Sequence, residues 1–326
     1  MTRWLWIVVL GLLSLSSLPP SARAQDPKPD LVRHFVGDPQ DAKVNPCGPA
    51  LLLMGGGRDV DAAFRWWRPY MAGGDVVVLR TSGGAGYNDY LLNTIGGCDS
   101  VETLLVTSRA LANDPRVAKS LAGAEAIFLA GGDQATYLAH WRGTAVEAGL
   151  RAAWKRRAAI GGTSAGLAVL GQFVFSAEKG TIRSQRALAD PHHERLTLAK
   201  TLLGAPLLAG VITDTHFSQR ERLGRLVTFL ARIRSGGAHK APLGLGIDER
   251  TALVVGPEGR AAVLGSGRVA LVRLLTPGVC KRGAPLDGTR AEVTWLSAGH
   301  TLVLPQGTCS LPAKAYRVTR GVLEPR

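Results

Sequence analysis

The stretch Ala159-Ile160-Gly161-Gly162-Thr163-Ser164-Ala165-Gly166-Leu167 decides how the rest of the chain is read. An apolar run ends in small residues, a serine stands at the turn, and residues 165–170 are compatible with a helix. Small neighbours permit a sharp strand-to-helix turn that lifts a hydroxyl clear of a sheet and aims a helix N-terminus at it. Gly162-Thr163-Ser164-Ala165-Gly166 fits G-x-S-x-G, but chemically idle turns produce the same pattern. Its meaning therefore depends on the residues that the chain brings near it.

On the N-terminal side, 144–157 reads as helix and 158–162 as the strand that feeds the serine. Earlier apolar runs at 51–54, 75–80, 104–107 and 126–130 read as strands, with helical stretches at 60–71 and 114–121. Three of these strands open into glycine-rich loops: Gly55-Gly56-Gly57, Gly83-Gly84-Ala85-Gly86 and Gly131-Gly132-Asp133-Gln134. Short apolar strands without alternation, interleaved with helices, predict an α/β fold whose largely parallel sheet is sandwiched by helices. Sites in such folds sit at the carboxyl ends of the strands. Gly55-Gly56-Gly57-Arg58 lacks a Walker pattern and reads as a turn beside the site.

On the C-terminal side, a run at 173–179 leads into a polar excursion from Gly180 past His192-His193 to Leu196. The apolar run 208–213 then enters Asp214-Thr215-His216-Phe217, and 218–233 has helical periodicity with Leu223, Leu226, Phe229 and Leu230 on one face. From Gly244 the runs are short and separated by glycine, proline and charge, which predicts a strand-rich C-terminal extension, antiparallel and packed on the sheet's edge. The expected division is a signal peptide at 1–24, an N-terminal arm at 25–46, an α/β catalytic core at 47–240 and the extension at 241–326.

The 326 residues, 46% hydrophobic and 20% charged, suffice for a large core in one or two domains. Arg3, the apolar run 5–13 and Ser21-Ala22-Arg23-Ala24 read as a secretory leader with an A-x-A cleavage site, so a secreted or periplasmic location is expected, with no stable membrane insertion after cleavage. Two of the formal +14 charges, Arg3 and Arg23, fall in that leader. The remaining Lys and Arg are scattered and form no nucleic-acid motif, so no nucleic-acid partner is expected. An oxidising destination makes disulfides plausible, and Cys280 with Cys309 and Cys47 with Cys98 are the expected pairs. Their spacing suits no zinc site.

A serine hydroxyl needs a base, and that base needs an orienting group. Of seven histidines, His34, His140, His239 and His300 fall in polar or terminal positions, and His192 and His193 have no strand to hold them. His216 directly follows an apolar strand and precedes a helix, at the same edge as the serine. Asp133, Glu178, Asp190 and Asp214 compete as its acid, and spacing alone leaves that choice open.

Four segments stand out together: Phe128-Leu129-Ala130-Gly131-Gly132-Asp133-Gln134, the serine turn, Asp214-Thr215-His216-Phe217-Ser218-Gln219-Arg220-Glu221-Arg222-Leu223-Gly224-Arg225, and Gly246-Ile247-Asp248-Glu249 with Thr251-Ala252-Leu253. With them the chain resembles peptidase family S51, in its cyanophycinase-like branch. The resemblance implies a class I glutamine amidotransferase-like sandwich, Ser164 as nucleophile, His216 as general base and Glu178 as acid. It implies Gln134, Asp214, Arg220, Arg222 and Arg225 as substrate contacts. The N–H groups of Ala165 and of Gly132 or Asp133 are expected to hold the oxyanion. Thr215 departs from the glutamine expected in the cyanobacterial branch. The expected activity is metal-free and cofactor-free hydrolysis of β-aspartyl peptide bonds, in a peptide or a cyanophycin-like polymer, through an acyl-enzyme; a homodimer is compatible with it. An aspartyl dipeptidase, an α/β-hydrolase esterase and a catalytically silent envelope-binding protein are the alternatives.

Overall fold

Asp75-Val76-Val77-Val78-Leu79-Arg80 has four consecutive apolar residues, all buried, as a strand covered on both faces requires. The structure, a computed structural model, describes residues 1–2 and 30–326; the expected leader lies outside the described residues except for its first two. Strands, in chain order, are β1 (Val32–Gly37), β2 (Leu51–Met54), β3 (Asp75–Arg80), β4 (Ser100–Leu105), β5 (Ala126–Leu129), β6 (Ala159–Thr163), β7 (Phe173–Phe175), β8 (Leu198–Lys200) and β9 (Val211–Asp214). They continue as β10 (Leu243–Ile247), β11 (Thr251–Val255), β12 (Arg260–Gly265), β13 (Arg268–Thr276), β14 (Arg290–Ser297), β15 (Thr301–Val303), β16 (Lys314–Thr319) and β17 (Val322–Pro325).

One sheet has the order β1-β4-β3-β5-β6-β2-β11-β12-β15, in which β4, β3, β5, β6 and β2 run parallel. The expected arm supplies its antiparallel edge strand, β1. A second sheet has the order β17-β16-β14-β13-β10-β9-β7-β8, with β7, β9 and β10 parallel. The fold is therefore α/β with a strand-rich C-terminal region, as expected. Residues 241–326, however, are not confined to an edge: β11 pairs with β2 inside the first sheet and β10 with β9 inside the second. The free edge of β2 and the far edge of β9 are what these strands cover.

The helix Leu223–Ser235 lies over the second sheet and buries Leu226, Phe229 and Leu230, three of the four residues expected on one face. Burial of each such side chain favours the fold by about 1.5–3 kcal/mol. This helix begins later than the periodicity predicts, because Ser218–Arg220 forms a tight 3-10 turn and Glu221 takes φ 51°, which breaks the helical hydrogen-bond run. Among the described residues all four cysteines are free, which corrects the expected disulfides. Cys280 packs with the cluster under the helix Leu223–Ser235, whereas Cys309 packs against a different cluster. Cys47 is exposed, and Cys98 is partly buried, with Sγ toward the Leu91 carbonyl at 3.6 Å.

Candidate active site

Strand register brings the reactive ends together. Met54 of β2 pairs with Thr163 of β6, so Gly55 and Ser164 leave the first sheet side by side, and the Ser164 N–H donates to the Met54 carbonyl at 3.0 Å. In the second sheet Gly246 pairs with Asp214, so the segments carrying Glu249 and His216 emerge as neighbours. The two sheets are joined here: the His216 N–H donates to the Gly55 carbonyl at 2.8 Å, and the Arg250 N–H to the Gly56 carbonyl at 2.9 Å.

Small residues make the serine turn possible. A Cβ on Gly166 would stand 2.0 Å from the Leu129 carbonyl oxygen, so the short helix Ala165–Ala168 presses directly on the end of β5. Ser164 sits at φ 51°, ψ −117°, a conformation an L-residue adopts only under strain, typical of a functional elbow. His216 is also left-handed, at φ 46°. Gly56, at φ 98°, lies against both: a Cβ there would stand 2.5 Å from His216 Cε1 and 3.1 Å from Ser164 Cβ.

Ser164 Oγ lies 2.8 Å from His216 Nε2, and His216 Nδ1 lies 2.6 Å from Glu249 Oε1. With the imidazole neutral, Nδ1–H donates to Glu249 and Nε2 accepts the Ser164 hydroxyl, so each group orients the next. The Glu249 N–H donates to Gln219 Oε1 at 2.9 Å, and the Asp248 carboxylate accepts the N–H groups of Ser218 and Arg268 at 2.8 and 3.0 Å. Those bonds hold the β10 turn against the turn after His216.

The acid is the principal correction. Glu178, expected to orient His216, is exposed in the turn after β7, which flanks β9 on the side opposite β10. The carboxylate on Nδ1 comes instead from the β10 end, within the Gly246-Ile247-Asp248-Glu249 segment.

Burial holds the His216 pKa below its ordinary 6.5, against the raising effect of the hydrogen bond to Glu249, and the Arg220 charge pushes it further down. The bond from His216 lowers the Glu249 pKa in turn. Nε2 therefore stays an unprotonated base into mildly acidic solution. The acidic limb of kcat/KM, which reports the free enzyme's base, is expected below pH 6.5, and a limb above that value in a pH profile would contradict this electrostatic picture.

Of the expected oxyanion donors, Ala165 directly follows Ser164. The loop containing Gly132 and Asp133 is fixed by Tyr137, whose hydroxyl donates to the carbonyls of Ala130 at 2.9 Å and Gly131 at 3.1 Å. Gly131 faces the serine, since a Cβ on it would lie 3.6 Å from Ser164 Cβ, whereas Gly132 faces the Tyr137 hydroxyl. The Asp133 carboxylate caps the helix Gln134–Trp141 by accepting the Ala135 N–H at 2.9 Å.

A cavity of about 740 Å³ opens beside the turn after His216, lined by Gln134, Arg183, Arg220, Arg222 and Arg225 among others. Two residues expected to contact substrate are already committed. Arg225 donates Nε to Asp214 Oδ2 at 2.7 Å and Nη2 to Asp214 Oδ1 at 2.5 Å, while Nη1 reaches Thr181 Oγ1 and the Ile182 carbonyl, both at 3.2 Å. Burial alone would raise the Asp214 pKa, but Arg225 and Arg222 hold it below the usual carboxylate value. This buried pair ties the end of β9 to the cavity wall at 181–182. Among the described residues Arg222 spends only Nη1, on Asp214 and Thr215, and burial lowers its pKa to about 10, so it remains cationic at neutral pH. Arg220 is exposed, and its backbone N–H donates to the His216 carbonyl at 3.0 Å. Gln134 donates Nε2 to the Phe175 carbonyl at 2.5 Å. Arg183, unremarked in the sequence, comes from the polar excursion, which serves as a cavity wall.

A hydroxyl, an imidazole and a carboxylate aligned at strand ends of an α/β sandwich form a triad of the serine-hydrolase type. The chain belongs to peptidase family S51, whose sequence model, described as Peptidase family S51, matches residues 89–259. The cyanophycinase of Synechococcus elongatus is 34% identical over 177 residues, 54% of this chain and 50% of that protein. The cyanophycinase of Trichormus variabilis is 33% identical over 177 residues, 54% of each chain. The chain thus spans about half the length of the curated relatives it matches. The crystal structure of a peptidase from an acI-B1 Actinobacterium shares the fold, with a TM-score of 0.53 at 17% identity, covering 79% of this chain and 97% of that one.

Proposed function

We propose that this chain is a serine peptidase that hydrolyses β-aspartyl peptide bonds, with cyanophycin or a β-aspartyl dipeptide as substrate. The observation that carries this reading is the aligned set Ser164 Oγ, His216 Nε2 and Glu249 Oε1, with spacings of 2.8 and 2.6 Å, beside a cavity rich in arginine. Ser164 Oγ attacks the scissile carbonyl as its proton passes to His216 Nε2, and Glu249 stabilises the imidazolium that forms. The N–H groups of Ala165 and of the Gly131–Gly132 loop receive the developing oxyanion; one such donor contributes about 3–4 kcal/mol. His216 then protonates the leaving amine, and water, activated by the same imidazole, releases the acyl group. Arg222 and Arg220, which keep donors free among the described residues, bind a substrate carboxylate, since guanidinium forks match that group. The names of the cyanophycinase relatives support the β-aspartyl choice. The leader motif before Gln25 supports action in a secreted or periplasmic compartment.

Incubation of the protein with cyanophycin and with a panel of β-aspartyl dipeptides, followed by product identification by mass, tests the substrate. Release of β-Asp-Arg or cleavage of the dipeptides is expected. Turnover of α-linked aspartyl dipeptides alone would assign the chain an aspartyl dipeptidase specificity instead.

A further inference from the structure

A second pocket, of about 450 Å³, lies next to the arginine-lined cavity and shares Ser184, Gln185, Glu221 and Arg222 with it. Its remaining wall is mostly apolar: Leu188, Phe217, Leu223, Trp295, Val322 and Leu323. Phe217 follows His216 directly and is held flat, because its ring fills the space a Cβ on Gly246 would take, at 2.4 Å. Trp295 is half-buried, with Arg268 stacked on its ring at 4.3 Å and the Phe217 ring 6.1 Å away. Within the same wall, Ser218 Oγ is buried and has no hydrogen-bond partner among the described residues.

Trp295, Val322 and Leu323 come from β14 and β17, beyond the residues 89–259 that the family model matches. The C-terminal strands thus add an apolar wall to one side of a cationic site. We propose that this pocket is a substrate subsite for an apolar side chain, that of the residue joined to the aspartyl group whose carboxylate Arg222 and Arg220 hold. Arg222, common to both cavities, is where the acidic and apolar parts of one ligand meet. This assignment rests on the serine-peptidase reading and narrows it, favouring a β-aspartyl residue followed by leucine or phenylalanine.

The test is direct binding of β-Asp-Leu, β-Asp-Phe and β-Asp-Gly to the full chain carrying Ser164→Ala, by calorimetry, so that no turnover is needed. The apolar dipeptides are expected to bind about tenfold or more tighter than β-Asp-Gly, the scale on which apolar pockets discriminate. That ratio should fall toward one in Trp295→Ala, and equally in Leu323→Asp, which lies on an edge strand and guards against misfolding of the first variant. Equal affinity for all three peptides, or an undiminished ratio in both variants, overturns the subsite. Phosphonylation of Ser164 in the unsubstituted chain is measured in parallel; its absence would overturn the peptidase reading itself, a result distinct from a lost apolar preference.

Discussion

Replacing Glu249 by glutamine is expected to lower kcat/KM by about 10⁴, the cost of a wrongly oriented imidazole when the acid of a triad becomes an amide. The amide keeps the volume and the contact with His216 Nδ1, at 2.6 Å in the unsubstituted protein, but can donate as well as accept. A His216 that accepts at Nδ1 carries its proton at Nε2 and cannot receive one from Ser164. Glu178→Gln, at an exposed position away from the imidazole, is expected to leave kcat/KM within about twofold, as surface substitutions away from a site usually do. Steady-state kinetics on the two variants decide between them, and a reversed outcome would return the role of acid to Glu178.

Ser164→Ala is expected to reduce kcat by about 10⁶ while substrate still binds, because the arginine cavity is untouched. The methyl replaces only the attacking oxygen, since the backbone N–H of residue 164 remains on the Met54 carbonyl. Triad members act as a unit, so adding Glu249→Gln to Ser164→Ala should cost almost nothing further. A multiplicative loss in the double variant would mean that the two residues work in separate steps.

Ser164 and His216 were legible in the sequence for one physical reason. Each stands at the end of a short apolar strand, β6 or β9, where a turn must follow, and such ends form the reactive edge of a parallel sheet. The parallel core at β3, β5 and β6 was legible because strands buried on both faces need unbroken apolar runs. Glu249 was visible within Gly246-Ile247-Asp248-Glu249, yet nothing local joins it to His216. The link is the parallel pairing of β9 with β10 across the helix Leu223–Ser235, a strand-helix-strand unit whose consecutive strands usually lie side by side. Reading 241–326 as a separate extension hid that unit, so the acid was taken from the family resemblance, which implied Glu178. Asp214 and Arg225 were expected as substrate contacts because the family resemblance implied them; their burial against each other depends on packing of the 181–182 segment, which spacing cannot supply.

Peptide mapping by mass after exposure to a fluorophosphonate tests most directly whether the elbow serine is an activated nucleophile. A single adduct on Ser164 is expected, forming much more slowly in Glu249→Gln. A folded protein that carries no adduct on Ser164, or one labelled equally fast with glutamine at 249, would contradict a nucleophile driven by the Ser164, His216 and Glu249 relay.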